Sequence, residues 1–342
     1  MQRRFLLSIY LLVTATSCFS QTLGGNAVFN FIAQPNTAQS AALGGVNISA
    51  ISKDVGMAFH NPALLKNEMS NQLNSSILSF IAGIQQYSIT YSKHLANCNL
   101  NIGGGILYLN YGSITQTDAA GFIMGTIRPT DYVAQIMVAK NYKNHFRIGA
   151  TTKLIQSHYG QYQSSGIAVD IGLTYFNEAA QLQTSLVIKN MGTQLKSYAP
   201  NASKEELPFD VQLGISKKLL NAPMQFSLTA HHLQQLNIYY DDTTFNAFEG
   251  NLKKENLTQK ILSHLILASQ FYITDKIELS AGFNFLRSQS LNAYGTPNGL
   301  NGFSFGTGVI MKKMQVRYAT GLYQQHFTHH FSLNFNLAGK NL

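Results

Sequence analysis

From about Leu73 to the C-terminus, segment after segment of this chain places apolar side chains at every second position with polar ones between them. Successive side chains of a strand point to opposite faces, so a period of two marks a strand whose faces meet different solvents. Between Ile167 and Tyr175 the apolar face is Ile167, Val169, Ile171, Leu173 and Tyr175, and the other carries Ala168, Asp170, Gly172 and Thr174. The same rule sets Phe209, Val211, Leu213 and Ile215 against Asp210, Gln212, Gly214 and Ser216. Near the end it sets Phe331, Leu333, Phe335 and Leu337 against Ser332, Asn334 and Asn336.

Composition decides what the second solvent is. The chain of 342 residues has 24 Lys and Arg and 15 Asp and Glu, only 11% charged, against roughly 25% in a soluble globular domain. A water-facing Lys/Glu surface is therefore hard to build. Disorder is excluded by 21 Phe and 17 Tyr. After the first twenty residues no apolar run reaches the ~18 residues of a membrane helix. A membrane protein that conceals its apolarity in alternation remains.

Alternation defines fourteen strands, near 73–81, 84–93, 99–111, 131–140, 145–156, 166–176, 181–190, 208–217, 223–233, 260–272, 276–287, 301–311, 314–324 and 329–338. Most have the ~9–11 residues that a tilted strand needs to cross a bilayer. Odd-to-even links are mostly long (about 112–130, 157–165, 191–207, 234–259, 288–300) and even-to-odd links mostly short, the asymmetry of an outer-membrane barrel. An open edge in lipid would leave backbone groups unpaired at several kcal/mol each, so the sheet must close. The expected fold class is all-β, a transmembrane antiparallel β-barrel of about 14 strands, over residues 71–342. Tyr108, Tyr111, Tyr132, Tyr142, Tyr159, Tyr175, Phe176, Tyr239, Tyr240, Phe271, Tyr272 and Tyr323 are candidates for the interfacial girdles.

Ahead of the barrel, Arg3 and Arg4 precede an apolar stretch from Phe5 to Val13 and small residues to Ser20, so residues 1–20 read as a secretory signal peptide. Its removal lowers the formal net charge of +9 by the two charges of Arg3 and Arg4. If Cys18 leaves with it, Cys98 is the one thiol and makes no internal disulfide. The basic excess fits contact with anionic lipid or polysaccharide, or basic residues scattered over turns and lumen. Residues 21–70 do not alternate. They suit an N-terminal plug inside the lumen, or a periplasmic arm, with a short helix opened by Asp54 and a second start at Asn61, Pro62 and Ala63.

No P-loop, dinucleotide fingerprint, His-Glu-x-x-His or Gly-x-Ser-x-Gly occurs, so no catalytic residue or cofactor is expected, and nothing points to nucleic acid. Adjacent strand residues face oppositely, so neither His231–His232 nor His329–His330 is expected to chelate a metal as a unit. Ser332 and His330 share a face, but no alternating acid joins them. Lumen-facing charges by parity are Arg147, Lys153, Asp170, Lys189, Asp210, Glu278 and Arg317. Their mixed signs suit bridges between strands and a grip on a plug, or a solute path. By the same reasoning Asp170→Asn is expected to be mild. Gly103, Gly104 and Gly105 mark a bend or a close approach.

The run from Leu23 to Phe31 (Leu-Gly-Gly-Asn-Ala-Val-Phe-Asn-Phe), Ala42 to Ile48 (Ala-Leu-Gly-Gly-Val-Asn-Ile), Asp54, and Ala58 to Leu65 (Ala-Phe-His-Asn-Pro-Ala-Leu-Leu), with Met69, Asn71, Leu73 and Tyr108 to Gly112, resembles the PorQ family of type IX secretion proteins in Bacteroidetes. The Asn-Pro-Ala element is similar to FadL-like transporters. The resemblance implies a non-enzymatic outer-membrane component that helps attach secreted cargo to lipopolysaccharide. Its implied partners are PorU-like, PorV-like and PorZ-like secretion proteins and outer-membrane lipid, with the long loops as docking surfaces. The FadL-like side implies passive uptake of hydrophobic solutes instead. A C-terminus running past Phe335 to Leu342 departs from the usual terminal aromatic residue.

Overall fold

The computed structural model describes residues 27–143, 145–200, 202–238, 257–291, 298–323 and 326–337. The signal-peptide reading, Cys18, Tyr239, Tyr240 and most of the 234–259 loop lie outside them.

Fourteen antiparallel strands close into a barrel. In chain order they begin with β1 (Gln72–Ser79), β2 (Gln85–Leu95) and β3 (Leu100–Asn110). A separate hairpin, β4 (Ile114–Thr117) and β5 (Ile123–Ile127), follows. The barrel resumes with β6 (Thr130–Tyr142), β7 (Phe146–Tyr159), β8 (Tyr162–Asn177), β9 (Leu182–Lys196), β10 (Asp210–Lys218) and β11 (Met224–Ala230). It ends with β12 (Leu265–Thr274), β13 (Ile277–Asn284), β14 (Phe303–Ile310), β15 (Met314–Tyr323) and β16 (His326–Asn336). Closure is made by β1 against β16, from Gln72 opposite Asn336 to Ser79 opposite His329.

Parity is obeyed. Along β8, Ala168, Asp170, Gly172 and Thr174 are buried, whereas Ile171 is 46% and Leu173 39% exposed. The exposed apolar side chains form a continuous outer band that hydrocarbon covers. The first strand begins and the last ends at one rim, which also carries most of the short turns, the periplasmic pattern.

Three sequence expectations change in detail. The 157–165 link is no long loop, because the β7–β8 ladder continues to Tyr159 opposite Tyr162. The 112–130 loop is structured as the β4–β5 hairpin. The ends of two expected strands, 260–263 and 285–287, are helical instead: they lie in α2 (Leu257–Ser263) before β12 and α3 (Phe285–Leu291) directly after β13. At the extracellular rim, free of lipid, a strand loses its two-solvent constraint and hydrogen bonds can turn inward into a helix. Tyr111 and Tyr159 leave the proposed girdle. Both donate to Asp131 Oδ2, at 2.6 and 2.9 Å, and Tyr159 stacks on Tyr198. Tyr108 and Tyr142 do face outward.

Candidate functional site: the plugged lumen

Residues 27–70 run through the barrel interior as short turns linked by extended chain. They comprise a 3-10 turn at Asn30–Ala33, α1 (Ala38–Ala42), and 3-10 turns at Val55–Phe59, Pro62–Leu64 and Asn67–Met69. Side chains that accept from freed backbone N–H groups cap three of them: Thr37 from Ser40, Asp54 from Gly56 and Asn61 from Ala63. The helix starts expected at Asp54 and at Asn61-Pro62-Ala63 are thus single 3-10 turns. In a crowded lumen the polar groups left over at each short turn find wall side chains, so long helices are unnecessary.

Asn61, Pro62 and Ala63 seat against β7 and β8. Asn61 Nδ2 donates to Ile48 O at 2.7 Å and to Thr174 Oγ1 at 3.4 Å. The wall there is a cross-strand glycine pair, Gly149 opposite Gly172. A Cβ on Gly149 would come within 2.6 Å of Ala63 N, and one on Gly172 within 2.3 Å of Asn61 Oδ1. Gly105 admits Phe59 closely, at 3.0 Å from where a Cβ would stand, whereas at Gly103 a Cβ would first meet Tyr91 O of the neighbouring strand, also at 3.0 Å. The β3 ladders to β2 and β6 run without a register shift, so the triple glycine marks close approach rather than a bend.

Every lumen charge identified from parity points inward, and most grip the plug or one another. Arg317 Nε donates to Glu278 Oε1 at 2.5 Å while its Nη1 reaches Asp54 Oδ2 at 3.2 Å. Asp54 Oδ1 also accepts from Asn74 Nδ2 at 2.9 Å. Arg147 donates to Asn141 Oδ1 and to Ala63 O, with its guanidinium 4.9 Å from the Phe176 ring centroid.

Lys153 Nζ lies 2.6 Å from Asp170 Oδ2, both groups fully buried, and also donates to Asn190 Oδ1. Asn190, at φ 58°, sits at a bulge where β9 places Lys189 and Asn190 both inward, and its N–H donates to Asp170 Oδ1. Lys189 Nζ donates to His60 Nδ1 at 3.0 Å, and His60 Nε2 donates to Gln34 O at 2.9 Å. Burial and the neighbouring lysines hold His60 well below its ordinary pKa of 6.5, so it is neutral and can accept from Lys189. Asp210 lies apart from the plug, bonded to Gln212 Nε2 and to the backbone N–H of His232.

Sequence reasoning missed the plug's partners: His60, Asn74, the glycine pair, and Gln183, whose Nε2 donates to Ser49 O and Ala50 O at 3.1 Å. The signal available was glycine at inward parity positions.

The lumen is not uniformly polar. Toward the extracellular rim Leu107, Leu109, Val133, Ile155 and Ala168 turn inward from β3, β6, β7 and β8. They pack on Val28, Phe29, Phe31, Ile32 and Phe59 of the plug. The arrangement is an apolar chamber that the chain's own N-terminal segment fills. At the opposite end a cavity of about 210 Å³ opens between Lys66, Glu68, Arg147 and Glu178. A larger groove, about 480 Å³, lies on the outer wall over Phe226, Leu267, Ala281, Phe283 and Phe303, where hydrocarbon covers it.

No protein-family model and no curated protein sequence matches the chain. Among solved structures, it is similar to the Ralstonia pickettii toluene transporter TbuX, with a TM-score of 0.52 at 11% identity over 90% of this chain and 99% of that one. The CymD monoaromatic hydrocarbon channel gives 0.51 at 11% identity, over 89% and 98%. A Pseudomonas aeruginosa FadL homologue gives 0.47 at 9%, over 88% and 98%. At these identities the first two likenesses speak for the fold: a closed 14-strand antiparallel barrel of the outer membrane.

Proposed function

We propose that this chain is a passive, non-enzymatic outer-membrane channel for small hydrophobic solutes, opened when the outermost part of the plug withdraws. The apolar chamber carries the reading. A barrel that conducts water-soluble solutes lines its lumen with polar side chains, whereas here Leu107, Leu109, Val133 and Ile155 face the interior and need an apolar occupant. Phe29, Phe31 and Ile32 supply it in the closed state. A solute of similar shape replaces them at little cost, because apolar burial is non-directional and scales with area. The shared fold of a toluene transporter and a monoaromatic hydrocarbon channel supports the same reading.

The test is uptake of toluene and of a long-chain fatty acid by cells or proteoliposomes carrying the protein, with sucrose as a polar control. Hydrophobic solutes should enter faster than in empty vesicles and sucrose should not. The double substitution of Phe29 and Phe31 by Ala should speed entry further. Equal rates with and without the protein would remove the proposal.

A second reading follows from the resemblance to the PorQ family: a type IX secretion component that docks PorU-like, PorV-like and PorZ-like proteins. The tip of the β4–β5 hairpin favours it. Phe122, Ile123 and Met124 are 71%, 75% and 68% exposed on a sheet outside the barrel ladder. An apolar tip beyond the lipid band is suited to a protein partner. A deletion strain separates the readings. Loss of surface-anchored cargo with normal hydrophobe uptake supports secretion, and the reverse supports the channel.

A further inference from the structure

The two histidine pairs behave differently. His329 and His330 split as alternation requires, His330 inward and His329 outward against Tyr318. His231 and His232 do not split. His232 has left-handed backbone, φ 53°, and its N–H is held by Asp210 Oδ1 at 2.6 Å. Opposite it, Leu213 pairs with Ala230, yet Leu233 N donates to Val211 O at 3.0 Å. Gln212 therefore faces two residues, His231 and His232, the pattern of a bulge. The extra residue cancels the alternation, and the two rings stand 4.8 Å apart, centroid to centroid.

This bulge gathers three donor types. One ligand atom each from Asp210, His231 and His232 lies within 4.8 Å of the others. His231 is 97% buried at 3% exposure, and its Nε2 has no hydrogen-bond partner among the described residues. A buried imidazole nitrogen left unpaired costs about 1–3 kcal/mol unless something fills it. Asp210 Oδ2 accepts from Gln212 Nε2, which orients the carboxylate as outer partners of metal ligands do.

We propose that Asp210, His231 and His232 form a binding site for a divalent transition-metal ion at the extracellular end of the lumen. Two imidazoles and a carboxylate suit Zn2+ and its first-row neighbours. Bonds of about 2.0–2.2 Å bring the donors of a tetrahedral ion to about 3.4 Å from one another. His232, whose side chain is 35% exposed and whose Nδ1 already lies 3.7 Å from Asp210 Oδ1, would close the remaining distance. A tetrahedral ion held by these three groups would take its fourth ligand from solvent. The ion would tie the first residue of β10 to the end of β11, where the loops on either side leave the barrel.

Purified full-length protein in detergent, stripped with a chelator and carrying Cys98→Ser to remove the exposed thiol, is titrated with Zn2+ by calorimetry and with Co2+ by visible absorption. One ion per chain is expected, with a tetrahedral Co2+ band and a raised temperature for the heat-induced gel shift. His231→Ala and His232→Ala should each weaken Zn2+ binding by more than the ~100-fold that loss of an outer partner costs. His329→Ala should leave it unchanged. Should His231→Ala fail to fold, the half-exposed His232 still decides the matter. Absence of saturable binding, or wild-type affinity in His232→Ala, would overturn the proposal.

Discussion

Arg317 on β15 places its Nη1 3.2 Å from Asp54 Oδ2 in the plug, across 263 residues of sequence, while its Nε holds Glu278 of β13. One guanidinium thus joins two wall strands to the segment that closes the lumen. Breaking a buried pair by deleting one partner costs about 3–5 kcal/mol, because a charge is left uncompensated. Arg317→Met leaves two buried carboxylates facing each other and should reach that range. Asp54→Asn leaves Arg317 paired with Glu278 and should cost less. Urea unfolding gives the ranking, and planar-bilayer conductance should rise more for Arg317→Met. The opposite order would mean that Asp54, not Arg317, organises the cluster.

Gly149→Ala should unseat the Asn61-Pro62-Ala63 turn, because the new Cβ meets backbone at 2.6 Å. Gly104→Ala is the control, since its Cβ finds nothing nearer than 3.8 Å. Limited proteolysis of the folded barrel should cut within residues 27–70 sooner in the first variant and at the wild-type rate in the second.

Asp170→Asn is no mild change, contrary to the expectation from alternation alone. It leaves Lys153, 1% exposed, without its countercharge, and should cost about 3–5 kcal/mol. Ile171→Arg on the opposite face should cost about 2–4 kcal/mol if it lies near the bilayer midplane. Both should lower the midpoint of urea unfolding in lipid, and Asp170→Asn combined with Lys153→Met should recover part of the loss. Failure of the double variant to recover would assign the cost to Asp170's bond with Asn190 instead.

Plug seating should weaken on acidification. The folded His60 has a depressed pKa, so below its ordinary 6.5 the released plug binds a proton that the seated plug refuses. Stability is full above that value and falls as pH drops toward the folded one. Proteolysis of residues 27–70 should be faster at about pH 5 than at about pH 7.5, and His60→Gln, which keeps a donor and an acceptor, should flatten the difference. An unchanged slope in His60→Gln would place the sensitivity elsewhere.

Alternation was sufficient to assign Ile171 to hydrocarbon and Asp170 to the interior, because a strand between two solvents has one degree of freedom and a single-residue slip would invert every side chain. The same rule located Arg147, Lys153, Lys189, Asp210, Glu278 and Arg317 on the inner face. It could not say what each of them meets. Nor could it foresee His232, where one left-handed residue cancels the period.

Strand number, closure and the facing of side chains along the regular ladders were therefore written in the chain itself, since they follow from local periodicity and the cost of unpaired backbone in lipid. The seat of the plug, the Arg317–Asp54 and Lys189–His60 contacts and the apolar chamber around Phe29 and Phe31 were decided only by the closed barrel. These contacts join residues far apart in sequence, and no local period encodes which side chains a closed wall brings face to face.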